Sequence, residues 1–161
     1  MTYAIVTIVA IIILLPLILG LWYLKTSVFH KPLGKDEWAF LSQVTEKMHP
    51  GIKQWVEQKR ADGTFKGIFI ISEQRLRIHA YYAECPDATA TVILTHGYSS
   101  CAMQMMPYAK MWLEKFHCNV IVHDLPNHGQ SEGKCTSMGY VEQKILAQWI
   151  ETARQMFPKT K

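Results

Sequence analysis

The sequence predicts an α/β fold: an antiparallel strand hairpin, then a parallel β-α-β-α unit, with one transmembrane helix ahead of both. Three observations predict it. The stretch from Tyr3 to Leu24 carries no charged side chain. Segments 65–72 and 76–83 are rich in Ile, Phe and Tyr and are parted only by Glu73-Gln74-Arg75. Beyond residue 90, short apolar runs alternate with longer segments of helical period, as strands of a parallel sheet alternate with crossover helices.

The first stretch reads YAIVTIVAIIILLPLILGLWYL. A helix needs about 20 apolar residues to cross a bilayer core, and this run exceeds that. Pro16 and Gly20 weaken a helix in water but are tolerated in lipid. Trp22 and Tyr23 stand where amphipathic rings favour the headgroup layer. A cleaved signal peptide would need a basic leader, a shorter apolar core and a small-x-small cleavage site. No Lys or Arg precedes this run, and Lys25 directly follows it. An uncleaved single-pass anchor over residues 1–25 is therefore expected, meeting the bilayer through residues 3–24. Lys25, Lys31 and Lys35 lie on its far side, which by the positive-inside rule puts the following domain in the cytoplasm.

The remainder of the 161 residues suffices for one modest domain. The net charge is +4 with no block of like charges, so no nucleic-acid partner is indicated. Four cysteines, Cys85, Cys101, Cys118 and Cys135, are widely spaced with no CxxC pair. A disulfide framework is open to them but unforced. Free thiols are the plainer reading and agree with a reducing compartment. Their spacing fits no zinc ligand set, and no metal or cofactor is implied.

Ser27 to Gly34, with Pro32, reads as a connector. Trp38, Leu41, Val44 and Met48 recur at helical spacing, as do Ile52, Trp55 and Val56 beyond a break at His49-Pro50-Gly51. Residues 26–62 thus form an amphipathic helical linker. Its apolar stripe is expected to pack on the domain over 63–161, a membrane-surface helix being the alternative. Ala61-Asp62-Gly63 is turn chemistry. Segments 65–72 and 76–83 form the hairpin. Thr91–Thr95 (TVILT) and Asn119–His123 (NVIVH) are continuously apolar at their centres, the mark of strands buried on both faces. Residues 102–116 and 139–157 are helices, the second with the stripe Val141, Ile145, Trp149, Ala153 and Met156.

Chemistry in an open parallel sheet collects at the carboxyl ends of its strands. Two loops stand there: Thr95-His96-Gly97-Tyr98-Ser99-Ser100, and Asp124-Leu125-Pro126-Asn127-His128-Gly129-Gln130-Ser131. A buried strand ending in His-Gly-x, a helix, then a strand ending in Asp-x-x-x-His-Gly-x-Ser resembles the α/β-hydrolase superfamily, in particular its serine aminopeptidase, lysophospholipase and monoglyceride-lipase members. The resemblance covers residues 65–157. Where those members commonly have Arg-Gly before the His-Gly, this chain has Pro126-Asn127.

The resemblance implies roles. The Tyr98 amide would be one donor of an oxyanion hole, with His96 and Gly97 shaping its turn; a preorganised donor of this kind is worth about 3–4 kcal/mol to a tetrahedral intermediate. The competing reading makes His96-Gly97 a strand-ending turn only. Asp124, His128, Gly129 and Ser131 would form a supporting loop. His128 as catalytic base is disfavoured by the family order of nucleophile, acid, then base.

No Gly-x-Ser-x-Gly occurs. Cys135-Thr136-Ser137-Met138-Gly139 imitates its ending, but a polar loop precedes it, and Ser137 reads as a helix cap. The chain therefore reads as the N-terminal part of a membrane-anchored serine hydrolase of a small ester, amide or peptide. It would be inactive alone, with the last strand of its sheet left as an open edge. The alternative is a non-catalytic membrane protein, or a half-domain that pairs with a second chain.

Overall fold

The structure is a computed structural model that describes residues 2–29 and 35–160. It contains α1 (Thr2–Val28), α2 (Lys35–Met48), α3 (Ile52–Ala61), β1 (Lys66–Ile71), β2 (Arg77–Ala83), β3 (Thr91–Thr95), α4 (Ala102–Glu114), β4 (Asn119–His123) and α5 (Glu142–Met156). The α/β expectation is met, with the two central apolar runs becoming β3 and β4 to the residue.

Helix α1 is long and apolar enough to cross a membrane, with a mean hydropathy of 3.1. Every described side chain from Tyr3 to Phe29 is exposed except Ser27 and Val28. Helix continues to Val28, so the connector expected from Ser27 starts later; its portion His30 to Gly34, Lys31 included, lies outside the described residues.

The described strands form one sheet in the order β1-β2-β4-β3. β1 and β2 pair antiparallel, with Phe69 opposite His79. β2 pairs antiparallel with β4, placing Ala80 opposite His123. β3 runs parallel to β4, from Thr91 beside Asn119 to Thr95 beside His123. This order corrects one expectation. The last strand, β4, is not the edge; it sits between β2 and β3, and all five of its residues are buried. The edges among the described strands are β1 and β3; on the parallel side it is β3 that stands open, half-buried along most of its length.

Helices α2, α3 and α4 cover one face of the sheet. Leu41, Trp55 and Val56 share a buried cluster there with Met103, Met106, Val120 and Val122. The break before α3 is held by Glu46, whose carboxylate accepts the N–H groups of Gly51 at 2.6 Å and Lys53 at 2.8 Å. Helix α5 covers the other face, where Ile145, Trp149 and Ala153 pack on Ile78, Ala80 and Ile121. This layering leaves the carboxyl ends of β3 and β4 side by side at one end of the sheet.

Candidate functional site

The loops after β3 and β4 are joined through buried polar side chains. His96 is buried; its Nδ1–H donates to the Gly97 carbonyl at 2.7 Å, and its Nε2 accepts the Leu125 N–H at 2.9 Å. Accepting at Nε2 requires the neutral ring. Burial holds the His96 pKa below the ordinary histidine value, against smaller opposing pulls from the Gly97 carbonyl and Asp124.

Asp124 is the hub of the second loop. Its Oδ1 accepts the Ala102 N–H at 2.8 Å. Its Oδ2 accepts the Gln130 N–H at 3.1 Å and bonds His79 Nδ1 at 2.9 Å. The Ser131 hydroxyl donates to the Asp124 carbonyl at 2.7 Å and accepts the His79 N–H at 2.9 Å. Burial would raise the Asp124 pKa, but the bonds from His79, Ala102 and Gln130 outweigh it and hold the carboxyl below its usual value. Ala102 opens α4, where Cys101 supplies no side-chain cap. A carboxylate from 22 residues downstream satisfies that amide instead, at the positive end of the helix dipole.

His79 is the site residue that sequence reasoning missed. On β2 it is one more alternating strand residue, and its partner lies 45 positions away. It is buried and stacks edge-on against Tyr81 with ring centroids 4.5 Å apart.

The Pro126-Asn127 departure has a backbone reason. Asn127 is buried with φ +64°, in the left-handed region that glycine and asparagine tolerate best. Asparagine thus does the conformational work of the glycine common at that place in the resembling members. His128 is fully buried; its Nδ1–H donates to the Pro126 carbonyl at 2.9 Å, and its Nε2 has no partner among the described residues. Its ring lies 5.2 Å from that of His96. Gly129 has φ +53°, and a Cβ there would lie 2.3 Å from the Asp124 carboxyl carbon. A Cβ at Gly97 would meet nothing within 4 Å, so that position faces open space.

That cavity, about 300 Å³, is lined by Thr95, Tyr98, Leu125, Thr136, Met138 and Leu146. It lies beside the open edge of β3. Ser137 stands near it but is tied into a cap. Its Oγ accepts the Val141 N–H at 2.7 Å and donates to the Glu142 carboxylate, which also accepts the N–H groups of Ser137 and Gly139, each at 2.8 Å. This fold-back delays α5 to Glu142, three residues beyond its expected start. Ser137→Ala should cost about 1 kcal/mol, as loss of a helix cap does, read from urea midpoints in detergent micelles.

His123 is buried beneath the loops, with Nε2 bonded to Thr95 Oγ1 at 2.8 Å and Nδ1 unpartnered among the described residues. Burial pushes its pKa from 6.5 down to about 4. The unfolded chain therefore takes up this proton at a higher pH than the folded one. Stability present at pH 7 should fall through this group by about 3 kcal/mol as pH drops from 6.5 toward 4, with His96 acting in the same direction. Urea midpoints across that range should show it, and His123→Gln should flatten the profile.

No family model matches the chain. An uncharacterized protein of Bacillus subtilis (strain 168), YqkD, is 33% identical over 69 residues, 43% of this chain and 22% of that protein. An esterase of Pyrococcus furiosus superposes with a TM-score of 0.56 at 26% identity, over 64% of this chain and 40% of the esterase. An α/β hydrolase of Vibrio vulnificus superposes with a TM-score of 0.52 at 13% identity, over 70% of this chain and 38% of its own; at that identity the likeness concerns the fold. The chain thus spans less than half the length of each of these proteins. Solved hydrolases superpose on this sheet, and its strands end in the loops described above; the chain has the fold of the N-terminal part of an α/β hydrolase.

Proposed function

We propose that the chain is the N-terminal part of a membrane-anchored serine hydrolase of an ester or amide, in which the Tyr98 amide is one oxyanion donor. The observation that carries this is a run of unspent donors. Among the described residues, the N–H groups of Gly97, Tyr98 and Ser99 find no acceptor, and Tyr98 lines the cavity. In a trans peptide the carbonyl and N–H point oppositely. The bond from His96 to the Gly97 carbonyl therefore orients the same peptide unit whose N–H belongs to Tyr98. Such an amide, held before the reaction, stabilises the oxyanion without reorganising.

The nucleophile belongs beyond this chain, on a strand beside β3, with the amide of the following residue as second donor. Anchoring rests on α1, and Lys25 favours a cytoplasmic placement of the domain. The test is a fluorophosphonate probe applied to the protein as it occurs in its native membrane. The expected adduct is on a serine outside residues 1–161, while the 161-residue chain alone stays unlabelled. No adduct on the native protein, or an adduct on Ser137, would sink the proposal.

A second reading, a half-domain that pairs with another chain, draws support from the open edge of β3. Ile93 on that strand and Leu146, Ile150 and Phe157 on and just after α5 line a further hollow of about 330 Å³. Non-denaturing mass spectrometry of the native protein would show a second polypeptide if this reading holds.

A further inference from the structure

We propose that the mouth of the Tyr98 cavity sits at the bilayer surface, with Phe29, Met138 and Tyr140 seated among the lipid headgroups. This rests on α1 being a membrane span, but not on the hydrolase reading.

The last carbonyls of a helix have no partner within it and must find one elsewhere. Here the Tyr98 hydroxyl donates to the Ser27 carbonyl at 2.6 Å, and the Thr136 N–H donates to the Val28 carbonyl at 2.9 Å. Tyr98 and Thr136 both line the cavity. Ser27 and Val28 are also the residues of α1 that lose exposure. The seam therefore joins the helix end directly to two walls of the cavity.

Distance decides what that seam means. The uncharged run ends at Leu24, and Val28 lies four residues on, about 6 Å along a helix axis. The headgroup region on each side of a bilayer core is about 5–8 Å deep. The two capped carbonyls thus fall within that layer, and the groups bonded to them, 2.6 and 2.9 Å away, lie in it or at its outer boundary.

The chemistry of the rim agrees. Phe29, Met138 and Tyr140 are 61%, 62% and 70% exposed. Met138 and Gly139 have φ +52° and +105°, forming a turn whose base is tied down by Ser137 and Glu142 and whose tip displays the apolar side chains. Trp22, Tyr23 and Lys25 mark the same level on α1, as residues of a membrane interface do. Met138 is shared by the rim and the cavity wall, so the opening lies beside the lipid-facing residues.

The test uses the full 161-residue chain in phosphatidylcholine vesicles, with benzoylphenylalanine replacing one residue at a time: Met138, Tyr140, Leu17 within the span, or Lys159 at the opposite end of the sheet. All four side chains are exposed, so the replacements should be tolerated; circular dichroism matching the parent chain qualifies each protein. After irradiation, lipid adducts are measured by mass spectrometry. The expected yield at 138 and 140 exceeds that at 159 by about tenfold and approaches that at 17, as for side chains seated in the interface. Adducts at 17 with none at 138 and 140 above the level at 159 would overturn the proposal and leave the span standing. No adduct at 17 would remove the span, and this proposal with it.

Discussion

Gly129→Ala is expected to lower the unfolding free energy by about 4 kcal/mol or more, a loss at the extreme of single substitutions. Two costs coincide. The position has φ +53°, which charges an L side chain about 1–2 kcal/mol. The new Cβ would also lie 2.3 Å from both Cγ and Oδ1 of Asp124. That carboxylate cannot swing aside, because it is buried and holds Ala102, Gln130 and His79 at once. Since domains are stable by only about 5–15 kcal/mol, much of the folded population should go. Gly97→Ala is the matched control: its φ is not in the left-handed region and its Cβ meets nothing, so a change within about 0.5 kcal/mol is expected. Urea titration of both variants in detergent micelles checks the pair. A Gly129→Ala midpoint close to that of Gly97→Ala would show that the loop is less rigid than described.

Asp124→Ala should cost about 3–5 kcal/mol, the range for breaking a buried charged network from one side. The Ala102 amide and the His79 ring would each lose an acceptor while staying buried, and unpaired buried donors are expensive; the exposed Gln130 would lose its bond at less cost. Asp124→Asn keeps the volume but turns one acceptor into a donor facing donors, so it should recover only part of the loss. The pH dependence separates charge from size. The folded pKa of Asp124 lies below its unfolded value of about 3.8. Its contribution is therefore complete above that value and is lost as pH falls through the lower folded one. This acid limb lies below the window in which His123 acts, and it should vanish in Asp124→Asn while the His123 limb persists. Urea midpoints from pH 2 to 7 resolve the two.

The layout of these loops was legible wherever the signal is local. The two apolar runs, the positions of His96-Gly97-Tyr98 and Asp124 to Ser131 at strand ends, and the cap at Ser137 all follow from neighbouring residues. The edge of the sheet did not. Chain order suggested β4, yet β4 inserts between β2 and β3, because a hairpin strand can pair antiparallel with it while β3 stays parallel on its other side. His79 was hidden for a similar reason: period-two alternation assigns it a strand and a face but says nothing about a carboxylate far along the chain.

A long apolar helix, an α/β order and two chemically suggestive loops can be read from the residues in line, since hydrophobic period and turn chemistry act over a few residues. That Asp124 caps α4, that His79 and His96 brace the loops, and that the end of α1 is bonded to Tyr98 and Thr136 emerges once the chain is folded. Those partners stand 22 to 108 positions apart. Nothing in a short window of sequence encodes such meetings; they exist because closing the sheet buries polar groups that must then find one another.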